Sequence, residues 1–242
     1  MDTIAHGEHL TQLRRRTVLF PINCYLVSED DGLTLVDTGL AGSAPAILAA
    51  ARAPGAPIRR IALTHVHGDH AGSLDALHAA LPDAEVIVSV REARLLARDF
   101  TLDANEPQVK VRGGWPVCTT RLTRTVAPGE RIGSLEVVAA PGHTPGQVAF
   151  LDTRNGTLIA GDALSTHFGI AVAGVCRALF PFVAMGTWHK PTALATAQAL
   201  RALNPARLAV GHGPVLSQPE AAIDKAIAEA TRRFGGRVAS GA

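Results

Sequence analysis

Cysteine and aromatic side chains are scarce in this chain. Phe, Tyr and Trp make up 4% of its 242 residues, with one tyrosine and two tryptophans, and there are three cysteines. Cys24, Cys118 and Cys176 are widely spaced, odd in number and form no CxxC pair. They argue against a disulfide framework and read as buried free thiols of a reducing compartment. An excess of one charge is also lacking. The formal net charge is +2 and the basic residues are scattered, so nothing points to a nucleic-acid partner. The one tight basic run, Arg14-Arg15-Arg16, reads as a solvated turn or strand edge. The first 20 residues do not show the basic-then-apolar order of a signal peptide, and a cytoplasmic protein is expected. Only residues 168–188 are apolar for long enough to suggest a membrane span. Arg177 near the middle, Pro181 and recurrent glycines make them a substrate-pocket wall or a homodimer interface instead, with no membrane partner.

What is present is ample material for a core. Hydrophobic residues are 47% and charged residues 18%, which excludes a disordered chain and fits one layered α/β domain spanning 1–242. Strands are expected at Thr17–Val27, Gly32–Val36, Arg60–Leu63, Glu85–Ser89, Leu135–Ala139, Gln147–Asp152, Thr157–Ala160 and Arg207–Val210. Helices are expected near Ser43–Arg52, Leu74–Ala80, Arg91–Arg98, Pro191–Leu203 and 219–234, with a frayed tail at Gly235–Ala242. Residues 99–120 carry Pro107, Gly113, Gly114 and Pro116 and read as a long loop, the kind that is often functional. Gly32 to Asp37 and Gly156 to Asp162 echo each other, since both are apolar strands that end on an aspartate, and this suggests two similar halves facing one another.

The densest chemistry lies in Thr64-His-Val-His-Gly-Asp-His70. His65 and His67 are two residues apart and on an extended turn point the same way, while Asp69 and His70 follow around a corner at Gly68. Imidazole and carboxylate are ligands for zinc, iron or manganese. A lone histidine before a helix is normally a cap or a surface residue; three with an aspartate in six positions are not. Three more candidates end apolar strands between turn-forming glycines: His143, Asp162 and His212. Each alone would read as a turn residue. Together with the first cluster they read as one site.

This series, His65-x-His67-x-Asp69-His70, then His143, Asp162 and His212, resembles the ligand signature of the metallo-β-lactamase superfamily over roughly residues 18–215. The resemblance implies a four-layer αββα sandwich with two metal ions, taken as Zn2+ with Mn2+ or Fe2+ as alternatives. His65, His67 and His143 would hold one ion, Asp69, His70 and His212 the other, and Asp162 would bridge. A hydroxide shared by the two would attack a polarised carbonyl, and Asp69 would pass a proton to the leaving group. Asp37 is a candidate to orient a ligand imidazole.

The resemblance is specific for fold and metal site and broad for substrate. A bridging aspartate at 162 resembles the thioesterase, lactonase, nuclease and phosphodiesterase branches rather than the true β-lactamases, so β-lactam hydrolysis is expected as a side activity at most. About 30 residues follow His212, too few for the helical extension of glyoxalase II. The extra domains and longer histidine motifs of the RNA-processing branches are missing. The lactonase branch often has a tyrosine near the metals, but Tyr25 lies in an early strand; His167 or His189 could replace it. Phe180, Phe182, Trp188 and Trp115 are candidates to line an apolar pocket for a small substrate. The expected reaction is hydrolysis of an ester, lactone or thioester. The alternatives are a mononuclear iron oxygenase like the persulfide dioxygenases, using His65, His67 and His143, and a non-enzymatic binding protein. His6, His9 and His78 read as surface residues.

Overall fold

The computed structural model describes residues 1–15, 20–53 and 55–234. Part of the strand expected at Thr17–Val27, together with Arg16 and the tail Gly235–Ala242, lies outside the described residues. In chain order the elements are β1 (Asp2–His6), β2 (Leu10–Arg15), β3 (Ile22–Glu29), β4 (Gly32–Val36), α1 (Ala44–Ala51), β5 (Ile58–Ala62), α2 (Gly68–Ala71), α3 (Leu74–Ala80), β6 (Glu85–Ser89), α4 (Val90–Leu96) and β7 (Arg124–Val126). The second half holds β8 (Arg131–Ile132), β9 (Leu135–Ala139), β10 (Val148–Asp152), β11 (Thr157–Ile159), β12 (Leu164–Ser165), β13 (Ala171–Val172), α5 (Phe182–Gly186), α6 (Lys190–Ala202), β14 (Arg207–Ala209), β15 (Leu216–Ser217) and α7 (Glu220–Phe234).

Two sheets carry the fold. One runs β1 to β7 in sequence order, antiparallel up to β4 and parallel from β4 to β7. The other runs β15-β14-β11-β10-β9-β8, with β11 and β14 parallel. Alternation along each strand sorts side chains into layers. Tyr25, Val27 and Ile87 of the first sheet meet Val148, Phe150 and Ile159 of the second in a central core. The opposite faces go outward: Cys24, Leu26, Val86 and Val88 pack with α1, α3 and α4 residues, and Ala149 and Leu158 with α6 and α7 residues. Both faces of each sheet are covered, so the inner strands read as nearly continuous apolar runs. The result is the expected αββα sandwich. On α7 the buried Ile223, Ala226, Ala230 and Phe234 recur at helical spacing.

The two halves are built alike. In each, an antiparallel pair (β3-β4 and β10-β11) is followed by a parallel neighbour (β5 and β14). Segment 168–188 is divided among β13, turns and α5, and no helix among the described residues is long and apolar enough to cross a membrane. The three cysteines are free; Cys24 is buried as expected, whereas Cys118 is half-buried and Cys176 exposed. His6, His9 and His78 are half-buried rather than at the surface, His6 because its Nε2 meets the Gln12 side chain at 3.0 Å.

Candidate metal centre

The site lies where strands of both sheets end. From the first sheet, the loop after β4 gives Asp37, and the segment after β5 gives His65 and His67 and leads into α2, which carries Asp69 and His70. From the second sheet, the β9–β10 loop gives His143, the end of β11 gives Asp162 and the end of β14 gives His212. The structure brings all seven candidate ligands together as two clusters, His65-His67-His143 and Asp69-His70-Asp162-His212. Asp162 stands between them, 3.5 Å from His143 Nε2, 3.4 Å from His70 Nε2 and 3.2 Å from His212 Nε2. The approach is so close that Gly211, next to His212, has no room for a Cβ against Asp162 and the His70 ring.

Each of the five imidazoles has one nitrogen engaged by an acceptor, which fixes the tautomer and aims the other nitrogen inward. His65 Nδ1 donates to Thr64 Oγ1 at 3.1 Å, and that hydroxyl donates onward to the Asp37 carboxylate at 2.9 Å. His70 Nδ1 donates to Asp37 Oδ2 at 2.8 Å, His143 Nδ1 to Thr187 Oγ1 at 3.2 Å and His212 Nδ1 to the Pro21 carbonyl at 2.6 Å. His67 is reversed: its Nε2 donates to the Arg112 carbonyl at 2.9 Å and its Nδ1 faces the site. The inward atoms are therefore Nε2 of His65, His70, His143 and His212, and Nδ1 of His67.

This arrangement fits metal ions. His67 Nδ1 and His143 Nε2 lie 3.0 Å apart, and because each ring donates elsewhere, two lone pairs face one another. A cation between them removes that repulsion. His65 Nε2 points into the same space, buried and with no hydrogen-bond partner. Nitrogen and carboxylate donors suit zinc, iron and manganese.

The two clusters differ in charge. Burial lowers His65 and His67 below the ordinary imidazole range and pushes His143 down to about 3, so this trio is neutral and ready to bind. Burial also opposes a proton on His70 and His212, but the carboxylates outweigh it. Asp162, Asp37 and Asp69 raise His70, and Asp162 and Asp69 lift His212 to about 10. Burial would raise Asp69 and Asp162 in turn, yet the neighbouring histidines hold both carboxyls below their usual range. Without metal, protons balance the carboxylates in the second cluster.

A cleft of about 800 Å³ opens over the ligands. Leu40, Ala41, Trp115, Val117, Phe182 and Met185 are among its apolar lining residues, with Phe20. Among the described residues no lysine or arginine lines it. Asp69 is the more accessible carboxylate, its side chain 17% exposed against 3% for Asp162.

Residues 17–212 match the family model of the metallo-beta-lactamase superfamily. The chain belongs to the metallo-β-lactamase superfamily. It is 47% identical over 230 residues to the uncharacterized protein YobT of Bacillus subtilis (strain 168), covering 95% of this chain and 99% of that one. It is 32% identical over 143 residues to the hydroxyacylglutathione hydrolase of Stenotrophomonas maltophilia (strain R551-3), covering 57% of this chain and 44% of that enzyme. Among solved structures, TTHA1623 in a di-iron-bound form matches with a TM-score of 0.63 at 27% identity, covering 86% of this chain and 96% of that one. The DIM-1 metallo-beta-lactamase shares the fold, with a TM-score of 0.71 at 16% identity over 96% of this chain and 97% of that one.

The seven candidate ligands converge here, but the expected pocket residues divide. Phe182 and Trp115 line the cleft. His167, Phe180, Trp188 and His189 do not, each for a physical reason. Phe180 is buried, its ring centroid 5.2 Å from that of His212, and His167 packs edge-on against Phe180 and tilted against Phe168. The Trp188 ring is buried with its indole N–H donating to the Val109 carbonyl at 2.9 Å. His189 caps α6 and accepts from the Thr192 N–H. Tyr25 is buried away from the cleft, its hydroxyl donating to the Val210 carbonyl at 2.7 Å.

Several supporting residues escaped the sequence reading. Asn23 donates through Nδ2 to the Val210 and Gly213 carbonyls at 2.8 and 2.7 Å, and Gln12 donates to Asn23 Oδ1 at 2.8 Å. With Tyr25 they fasten the strand end that carries His212. Polar residues at buried positions of otherwise apolar strands were the available signal, and Asn23 between Ile22 and Cys24 is one.

Proposed function

We propose that this protein is a hydrolase that uses two divalent metal ions, with zinc the first candidate, to open an ester, lactone or thioester bond in a small, partly apolar substrate. The observation that carries this reading is the convergence of five tautomer-fixed imidazoles and two carboxylates beneath an apolar cleft. His65, His67 and His143 would hold one ion, Asp69, His70 and His212 the other, with Asp162 shared. Ions bound there would polarise the scissile carbonyl and lower the pKa of water toward ~7. The chain's own residues do the rest. Asp37, Thr64, Thr187 and the Pro21 and Arg112 carbonyls hold the imidazoles in their working tautomers. Asp69 lines the cleft and would pass a proton to the leaving group. Trp115, Phe182 and Met185 offer apolar surface to an acyl group and exclude water from it. The lack of a lysine or arginine among the described lining residues favours a neutral acyl substrate over a phosphodiester.

The partial similarity to a hydroxyacylglutathione hydrolase supports a thioester in the substrate panel, and the di-iron neighbour supports iron among the metals tried. Metal-stripped protein is to be reconstituted with Zn2+, Mn2+ or Fe2+ and assayed on acyl lactones, acyl thioesters and a phosphodiester. The expected result is loss of acyl hydrolysis on stripping, recovery on reconstitution, and little phosphodiester turnover. Full activity in metal-free protein would overturn the proposal.

A further inference from the structure

Glu92 is a fully buried carboxylate in the first turn of α4, outside both ligand clusters. Ser89-Val-Arg-Glu92 has the spacing of a capping box, in which the glutamate normally returns to the N–H of the capping residue. Half of that motif is present, since Ser89 Oγ accepts from the Glu92 N–H at 3.0 Å. The other half is redirected. Glu92 Oε2 accepts the Val66 N–H at 2.9 Å, and Val66 lies between His65 and His67. Glu92 Oε1 accepts the Thr144 hydroxyl at 2.5 Å and the Gly146 N–H at 3.1 Å, and Thr144 follows His143. Ser89 Oγ adds a bond to the Gly146 carbonyl at 2.7 Å. One side chain thus ties together the two loops that carry all three histidines of the first cluster. One loop follows β5 of the first sheet, and the other joins β9 to β10 of the second.

We infer that Glu92 is a positioning residue for the three-histidine metal site, fixing the separation of the His65-His67 loop from the His143 loop. The inference rests on the two-metal reading. Burial pushes the Glu92 carboxyl up to about 7, while all three partners donate and so favour its ionised form. A glutamine of the same shape keeps one oxygen and turns an N–H2 toward at least one of these donors.

The test uses metal-free full-length protein titrated with Zn2+ against a chromophoric chelator, while histidine ring 15N signals report which imidazoles take up metal. Glu92→Gln is expected to weaken zinc binding at His65, His67 and His143 by about 10- to 100-fold, the range typical of residues supporting metal ligands. His70 and His212 should load as in the native protein. Thr144→Val, which removes one donor and leaves the carboxylate, should shift the same three signals by less, and it serves if Glu92→Gln does not fold. Asp152→Asn, which breaks the contacts Asp152 makes with Arg154, is the structural control and should shift neither group. Equal weakening of both groups in Glu92→Gln, or no weakening at either, would overturn the inference. A single zinc equivalent in native protein would instead count against the two-metal reading, and the His65, His67 and His143 signals would still decide the role of Glu92.

Discussion

At Asp37 the backbone adopts a φ of 63°, a left-handed conformation that aspartate visits only locally. Asp37 Oδ1 accepts the Thr64 N–H at 2.8 Å, and Oδ2 accepts both the Thr64 hydroxyl at 2.9 Å and His70 Nδ1 at 2.8 Å. It thereby steadies one histidine of each cluster, His70 directly and His65 through Thr64. Asn at this position tolerates the same backbone but places an amide N–H2 against at least one of these donors. We expect Asp37→Asn to weaken metal binding by about 10- to 100-fold while the protein stays folded, measured by zinc competition and circular dichroism. The residue scale was the most legible in the sequence. The seven candidate ligands stand out because their side chains are costly to bury unless they bind something. Asp37 was visible for the same reason, at the end of an apolar strand. Glu92 was not, because Ser-x-x-Glu reads first as an ordinary helix start.

At the scale of elements, residues 99–123 form neither helix nor strand, yet they are held at many points. Asp75 on α3 accepts from the Cys118 thiol and from the backbone and hydroxyl groups of Thr119 and Thr120; burial would raise its carboxyl, but these donors, Cys118 foremost, hold it below the usual range. Arg91 and Arg94 of α4 pair with Glu106 and with Asp99 and Asp103. The Gly68 N–H donates to the Gly114 carbonyl at 2.8 Å, and the Arg112 carbonyl accepts a hydrogen bond from His67 Nε2. Gly113, between them, has a φ of 117°, and a Cβ there would overlap the His67 ring. Gly113→Ala should therefore displace His67 and weaken zinc binding, whereas Gly114→Ala, where a Cβ meets nothing within 4 Å, should leave affinity unchanged. Parallel titrations of the two variants check this, and equal affinities would refute the role given to the loop. The sequence marks this segment as a loop through its prolines and glycines; that a backbone carbonyl orients a ligand depends on packing that no local pattern records. The β1–β2 hairpin was missed because its residues mix polar and apolar types, and β7, β8, β12, β13 and β15 are too short, at two or three residues, for periodicity to register.

At the scale of the whole molecule, two similar halves face each other across the central core, and each ends a strand on an aspartate. Those aspartates, Asp37 and Asp162, approach opposite nitrogens of the same His70 ring, at 2.8 and 3.4 Å. The echo between residues 32–37 and 156–162 is the sequence trace of this symmetry. The layered packing gathers side chains from positions 65 to 212 into two adjoining clusters, each drawing on both halves. On the proposed reading these two clusters together bind two metal ions. The most direct measurement is elemental mass spectrometry on protein purified without a histidine tag or chelator. Two metal equivalents per chain are expected, with zinc foremost. One iron per chain, with the second cluster empty, would contradict that reading and turn attention to oxygen chemistry at His65, His67 and His143.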